Sequence, residues 1–259
     1  MSKVRNRYEL KLMRKSGSIA GMALKKGLES IKIGISELEV DKIIQDEIYR
    51  LGGDLSYKSV PGYKYATCIT VNEQVVHGIP TERTFISGDL VSIDLAVVYK
   101  GWHTDCAWSV VVEDNQLRDP SPAKPDQDDK RRFLEIGEKA LWEAVAQAVD
   151  GNRVGDISAA IQSRVEGVGY SVVRSLVGHG VGKSLHEEPE IPGFGEKGKG
   201  VVLKNGMSLA IEVIYTKGGH EVVLEKDRWT LSTIDKSWGG LFEMTVIVVK
   251  DRPEILTAL

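Results

Sequence analysis

Cysteine is scarce in this chain: Cys68 and Cys106 are its only two among 259 residues. That is too few for a disulfide framework of the kind that staples small secreted domains. No apolar run is long enough to span a bilayer, and the start Met1-Ser2-Lys3-Val4-Arg5-Asn6 lacks the apolar core of a secretory signal. An excess of charge of one sign is also absent, since 34 Lys and Arg against 37 Asp and Glu leave a net of −3. That argues against bulk electrostatic binding to nucleic acid. The expectation is a cytoplasmic, monomeric protein with no membrane and no specific nucleic-acid partner.

A hydrophobic content of 42% and a charged content of 27% are those of an ordinary globular protein. The length allows one large core or two lobes. Residues 1–30 depart from the average, with Lys3, Arg5, Arg7, Lys11, Arg14, Lys15, Lys25 and Lys26 set against Glu9 and Glu29. The plain reading is a solvated amphipathic helix. The sharper one is a weak contact of basic residues 3–26 with an acidic surface such as the ribosome.

The patterning predicts helices over 6–29 and from Ser36, where Ser36-Glu37-Leu38-Glu39 has capping-box spacing. Gly17 and Gly21 weaken the first by their propensity cost. Strands are predicted at 66–71, 90–98 and 103–112. Residues 113–129, with three prolines and six acids, read as an exposed linker. Then the pattern restarts, with helices over 129–149 and 154–168. An offset of 117 lays Val40 on Ile157, Ile44 on Ile161, Ile48 on Val165 and Gly52 on Gly169. One catalytic domain is expected, with pseudo-symmetric halves at about 1–112 and 130–259.

Four acids fall into matched places in those halves. Asp94 ends Gly88-Asp89-Leu90-Val91-Ser92-Ile93-Asp94, and Glu212 ends Gly206-Met207-Ser208-Leu209-Ala210-Ile211-Glu212. Asp105 opens Asp105-Cys106-Ala107-Trp108-Ser109-Val110-Val111, and Glu243 opens Glu243-Met244-Thr245-Val246-Ile247-Val248-Val249. A two-residue turn at Lys100-Gly101 would pair Ala96 with Asp105, so Asp94 and Asp105 share a face. A carboxylate inside an apolar strand is costly unless a cation or partner offsets its desolvation. Surface exposure explains one such acid and fails for four matched ones. A pseudo-twofold α+β fold with a shared curved sheet follows.

His179 stands in Val177-Gly178-His179-Gly180-Val181-Gly182, where flanking glycines let backbone approach closely. Lys183-Ser184 follows, but Val177 stands where the P-loop spacing needs its first glycine, and no dinucleotide fingerprint surrounds the segment. Beside four inward acids, His179 reads as a metal ligand. Four carboxylates and one imidazole carry too much negative charge for one ion and suit two divalent ions. Mn, Fe(II), Co and Zn all fit such a donor set.

These residues, with Val71-Asn72-Glu73-Gln74-Val75-Val76-His77-Gly78-Ile79-Pro80, His103-Thr104-Asp105 and Gly178 to Pro189, closely resemble the type I methionine aminopeptidases. The resemblance runs from about residue 6 to 256 and implies the pita-bread fold. It implies that Asp105, His179, Glu212 and Glu243 hold one metal ion and Asp94, Asp105 and Glu243 the other. It further implies that His77 contacts the scissile amide nitrogen, that His186 contacts the carbonyl oxygen, and that Glu212 shuttles the proton of the attacking water. Tyr63, Cys68 and Trp229 match positions of the family's methionine pocket, where a polarizable thioether favours aromatic and sulfur-lined walls. The implied activity is removal of the initiator methionine from nascent polypeptide N-termini with a small second residue.

The chain departs from the family pattern at Val213, where Pro is usual, and at Leu185, where Phe is common. Two rival readings stand beside this one. A proline-directed peptidase would share the fold, and a relative that had lost catalysis would bind RNA or protein instead.

Overall fold

The computed structural model describes residues 4–113 and 125–259. From the N-terminus run helix α1 (Arg7–Ser30), helix α2 (Glu37–Arg50), strand β1 (Asp54–Leu55), a 3-10 turn (Ser56–Ser59) and strands β2 (Thr67–Val71) and β3 (Gln74–Val76). The hairpin of β4 (Leu90–Tyr99) and β5 (Trp102–Val111) closes the first half. Helices α3 (Pro125–Val145) and α4 (Val154–Glu166) open the second half. Strands β6 (Ser171–Val172), β7 (Val177–Gly180), β8 (Glu187–Pro192), β9 (Ser208–Thr216), β10 (Val222–Leu224), β11 (Leu231–Thr233), β12 (Gly239–Ile247) and β13 (Glu254–Ile255) follow.

Both helices of the first half start on capping boxes. Asn6 and Glu9 close α1. At α2, Glu39 N–H donates to Ser36 Oγ at 3.2 Å and Ser36 N–H donates to the Glu39 carboxylate at 2.8 Å. Gly17 and Gly21, unfavourable by propensity, have a packing reason. A Cβ on Gly17 would lie 2.5 Å from the Leu256 carbonyl oxygen, and one on Gly21 would lie 2.4 Å from that of Ala258. Helix α3 begins at Pro125, four residues before the expected start, so 125–129 are helix and not linker. The remainder of that expected linker, residues 114–124, lies outside the described residues.

The main sheet has the order β1-β4-β5-β12-β9-β7-β8, and its β pairings are antiparallel. A second, three-stranded sheet orders β10-β11-β3. Strand alternation divides the main sheet's faces. Val91, Ile93, Leu95, Val97 and Cys106 pack under α1 and α2. Leu209, Ile211, Val213, Tyr215, Phe242, Met244 and Val246 pack under α3 and α4. Each fully buried side chain of this kind contributes about 1.5–3 kcal/mol. The residues between them, including Asp94, Asp105, Glu212 and Glu243, therefore point away from the helices.

Candidate metal centre

The four acids enter this second face from the two inner strand pairs. The Lys100-Gly101 turn forms as expected, Tyr99 pairs with Trp102, and Ala96 stands opposite Asp105. In the second half Glu212 stands directly opposite Glu243, and Glu243 in turn stands opposite Ala107 of β5. The central seam between β5 and β12 thus carries Asp105 and Glu243 on one face, two positions out of register. His179 arrives from β7, which pairs it with Ala210 of β9. Its flanking glycines are needed for that fit. A Cβ on Gly178 would lie 2.7 Å from Ala210 O, and one on Gly180 would lie 2.3 Å from Glu188 O.

Ligand atoms of Asp105, His179 and Glu243 all lie within 4.8 Å of one another, and all three residues are buried. His179 Nε2 is 3.4 Å from Glu212 Oε1. Its Nδ1 lies 2.9 Å from the Gly180 carbonyl oxygen, which can only accept, so Nδ1 carries the proton. The lone pair of Nε2 then faces the carboxylates. Burial, with the His186 charge beside it, lowers the His179 pKa to about 4, so no ion pair with Glu212 forms at neutral pH.

Burial raises the Asp105, Glu212 and Glu243 carboxyls well above their usual range, and the Asp94 charge adds to each. Asp94 itself is raised to about 6 by burial, against hydrogen bonds from Tyr57 and Asp105. Glu243 Oε1 is buried with no hydrogen-bond partner among the described residues. A buried acceptor without a donor costs roughly 1–3 kcal/mol. An inward imidazole lone pair, an orphaned carboxylate oxygen and three further crowded acids are what a divalent cation relieves. The donor set fits hard divalent ions.

These residues form one end of a cavity of about 200 Å³. Its remaining walls are Tyr57, Val60, Tyr63, Cys68, Leu185 and Trp229, with His77 and His186. All ten residues singled out from the sequence therefore line a single cavity. Tyr63 packs against Trp229 with ring centroids 5.2 Å apart and against Tyr57 at 5.6 Å. His77 has φ +59°, a conformation rare outside glycine and one that clusters at functional sites. The following Gly78 allows it, since a Cβ there would lie 2.0 Å from the Ile69 carbonyl oxygen. His77 and His186 are exposed at the cavity mouth, and partial desolvation by the walls lowers both pKa values. The two rings of His186 and His179 are 4.4 Å apart.

Sequence reasoning missed Tyr57. Its hydroxyl donates to Asp94 Oδ1 at 2.7 Å, a contact across 37 residues that no motif or periodicity announces. Leu185 was singled out only as a departure, and it proves to be a cavity wall.

The sequence profile of metallopeptidase family M24 matches residues 11–250. The chain belongs to that family. Within M24, it is 39% identical to methionine aminopeptidase 1 of Bacillus subtilis over 249 residues, covering 96% of each protein. The crystal structure of the methionine aminopeptidase from Thermotoga maritima superposes with a TM-score of 0.92 at 36% identity, covering 100% of both chains. A prolidase from Pyrococcus furiosus matches at a TM-score of 0.75 and 24% identity, over 99% of this chain and 65% of that one. That last likeness concerns the fold alone. The M24 pita-bread architecture expected from the sequence is the one observed.

Proposed function

We infer that this protein is a metal-dependent aminopeptidase that hydrolytically removes the N-terminal methionine from peptides and nascent chains. The observation that carries the reading is the cavity itself. Its closed end is built of four acids and His179 Nε2, and its walls combine aromatic rings with Cys68. A thioether suits such walls, through contacts of sulfur with aromatic edges.

Two divalent ions are proposed: Asp105, His179, Glu212 and Glu243 would hold one, and Asp94, Asp105 and Glu243 would hold the other. When bound, such ions polarise the scissile carbonyl and acidify water. The chain's own residues do the rest. Glu212 accepts the proton of the attacking water and returns it to the leaving amine. His186 donates a hydrogen bond to the carbonyl oxygen as negative charge grows there, and His77 holds the scissile amide nitrogen. Tyr63, Cys68 and Trp229 seat the methionine side chain, with Tyr57, Val60 and Leu185 closing the pocket. A small second residue, seated beside His77 and His186, is part of the proposal.

Nascent polypeptides in the cytoplasm are the proposed substrates, met by one catalytic unit acting as a monomer. No helix among the described residues is long and apolar enough to cross a membrane. The basic face of α1 is the proposed weak contact with the ribosome, with one correction. Arg7, Lys11, Arg14, Lys15, Lys25 and Lys26 are exposed, whereas Arg5 is buried and unavailable. Arg14 is also paired, with Glu254 at 2.6 Å, and Lys3 lies outside the described residues.

The deciding experiment is methionine release from a Met-Ser peptide by metal-free protein under anaerobic conditions, titrated with Mn, Fe(II), Co(II) and Zn. Metal-dependent release is expected, with an X-Pro dipeptide turned over far more slowly. Preference for X-Pro would move the assignment to a proline-directed peptidase. Silence with every metal from folded protein would favour a binding module.

A further inference from the structure

Among the described basic residues of the first thirty, Arg5 alone is buried, at 6% exposure. Its backbone N–H donates to the Gly206 carbonyl at 2.8 Å, and Val4 bridges Met207, so this segment lies along the start of β9. From there the guanidinium reaches three separate pieces of chain. Nε donates to Ser208 Oγ at 3.0 Å, and Nη2 donates to the Val181 carbonyl at 3.1 Å and to the Glu187 carboxylate. The group also lies over the Trp102 ring, 5.4 Å from its centre.

Glu187 passes this anchorage on. Its other oxygen accepts the backbone N–H groups of Lys183 at 2.7 Å and Ser184 at 3.1 Å. A Cβ on Gly182 would lie 2.3 Å from Arg5 Nη2, so the turn runs directly against the guanidinium. Residues 182–187 are therefore held at both ends, and between the ends stand Leu185 and His186. No side chain among the described residues hydrogen-bonds the His186 ring. Its place is inherited from the turn's backbone and from its contact with His179.

We propose that Arg5 is a positioning residue for the reaction: through Glu187 it sets the turn that presents His186 to the substrate carbonyl and Leu185 to the methionine pocket. The proposal rests on the aminopeptidase reading above. The guanidinium's planar fork is what allows one side chain to serve three acceptors at fixed angles. An ammonium keeps the charge and loses that geometry.

The test compares full-length wild type, Arg5→Met, Arg5→Lys, Glu187→Gln and Ile157→Val. Each is measured for kcat and KM on a Met-Ser peptide, metal uptake by the metal-free protein in calorimetry, and the NMR signals of the His186 ring. Ile157 is on the buried face of α4, so its truncation softens the protein without touching the turn and should leave kcat unchanged. A displaced catalytic imidazole costs on the order of 100-fold in rate. Arg5→Met should lose kcat on that scale with KM and metal stoichiometry nearly constant, and its His186 signals should shift. Arg5→Lys should recover part of the loss, and Glu187→Gln should reproduce it.

Unchanged kcat in folded Arg5→Lys and Glu187→Gln overturns the proposal, whether or not Arg5→Met folds. So does a rate loss that merely tracks lost metal or is shared by Ile157→Val. If wild type itself releases no methionine, the aminopeptidase reading fails first. Unshifted His186 signals in the Arg5 variants would then sink the positioning role on its own.

Discussion

The two halves supply the same four-acid arrangement by different strand pairings. In the first, β4 and β5 are joined by Lys100-Gly101, both at positive φ, the conformation of a tight two-residue hairpin turn. Asp94 and Asp105 are consequently diagonal, offset by two positions. In the second, β9 and β12 are joined through residues 217–238, and Glu212 and Glu243 are directly opposed. Diagonal partners lie roughly 7–8 Å apart and directly opposed ones about 5 Å. A slip of two keeps every side chain on its face, because the strand period is two, while a slip of one would bury the acids under the helices. The duplication thus preserves which face the acids occupy and leaves their spacing free. The longer connection in the second half also hosts β10, β11 and the turn bearing Trp229, so it adds a cavity wall that the two-residue turn of the first half cannot.

The largest test of this comparison sets a seam acid against an outer one. Glu243→Ala removes the proposed bridging carboxylate and should lower activity on the order of 1,000-fold or more, with loss of both ions. Asp94→Ala should lose one ion and keep the other. Calorimetric stoichiometry checks both, and two ions retained in the Glu243 variant would break the bridging assignment. Next in size, His77→Ala should lose roughly 100- to 10,000-fold in kcat, the scale of a positioned proton donor, with metal uptake intact. A normal rate would remove His77 from the reaction.

Acidity offers a subtler probe of the seam. The Asp105, Glu212 and Glu243 carboxyls are raised by burial and by the Asp94 charge, so the folded metal-free protein binds more protons than the unfolded chain. Their contribution is complete below about pH 4, the unfolded carboxyl value, and is lost as pH rises through the raised folded values. The lowered His77, His179 and His186 act the other way, with stability lost as pH falls below about 6.5. Metal-free wild type should therefore lose stability relative to a Glu243→Gln variant as pH rises from about 5 to about 8, and saturating Mn should reverse the trend with release of protons. Melting curves of both proteins across that range check this, and a wild type that gains as much stability as the variant with rising pH would contradict the raised carboxyls. The smallest effect is expected at Trp229, whose partner is Tyr63 in the other half. Trp229→Ala should raise KM about 3- to 10-fold through lost aromatic contact, without altering metal uptake.

Much of the site was legible in the sequence because its determinants are local. Strand alternation assigned Asp94, Asp105, Glu212 and Glu243 to one face, and the two-residue turn at Lys100-Gly101 set the first register without reference to the rest of the chain. The glycines around His179 announced close backbone approach before any neighbour was known. The helix beginning at Pro125 was obscured by an acid- and proline-rich composition that suits a linker and a solvated first helical turn equally.

What the sequence by itself determined, then, was the set of groups and the face each takes, since turn chemistry and a period of two act over a few residues. Only the tertiary structure decided that Glu212 opposes Glu243 directly, that Tyr57 caps Asp94, and that Arg5 grips Glu187 across the whole chain. Those contacts join segments 37 to 182 residues apart or follow a long connection, and their geometry depends on how two separately packed halves meet at the seam between β5 and β12.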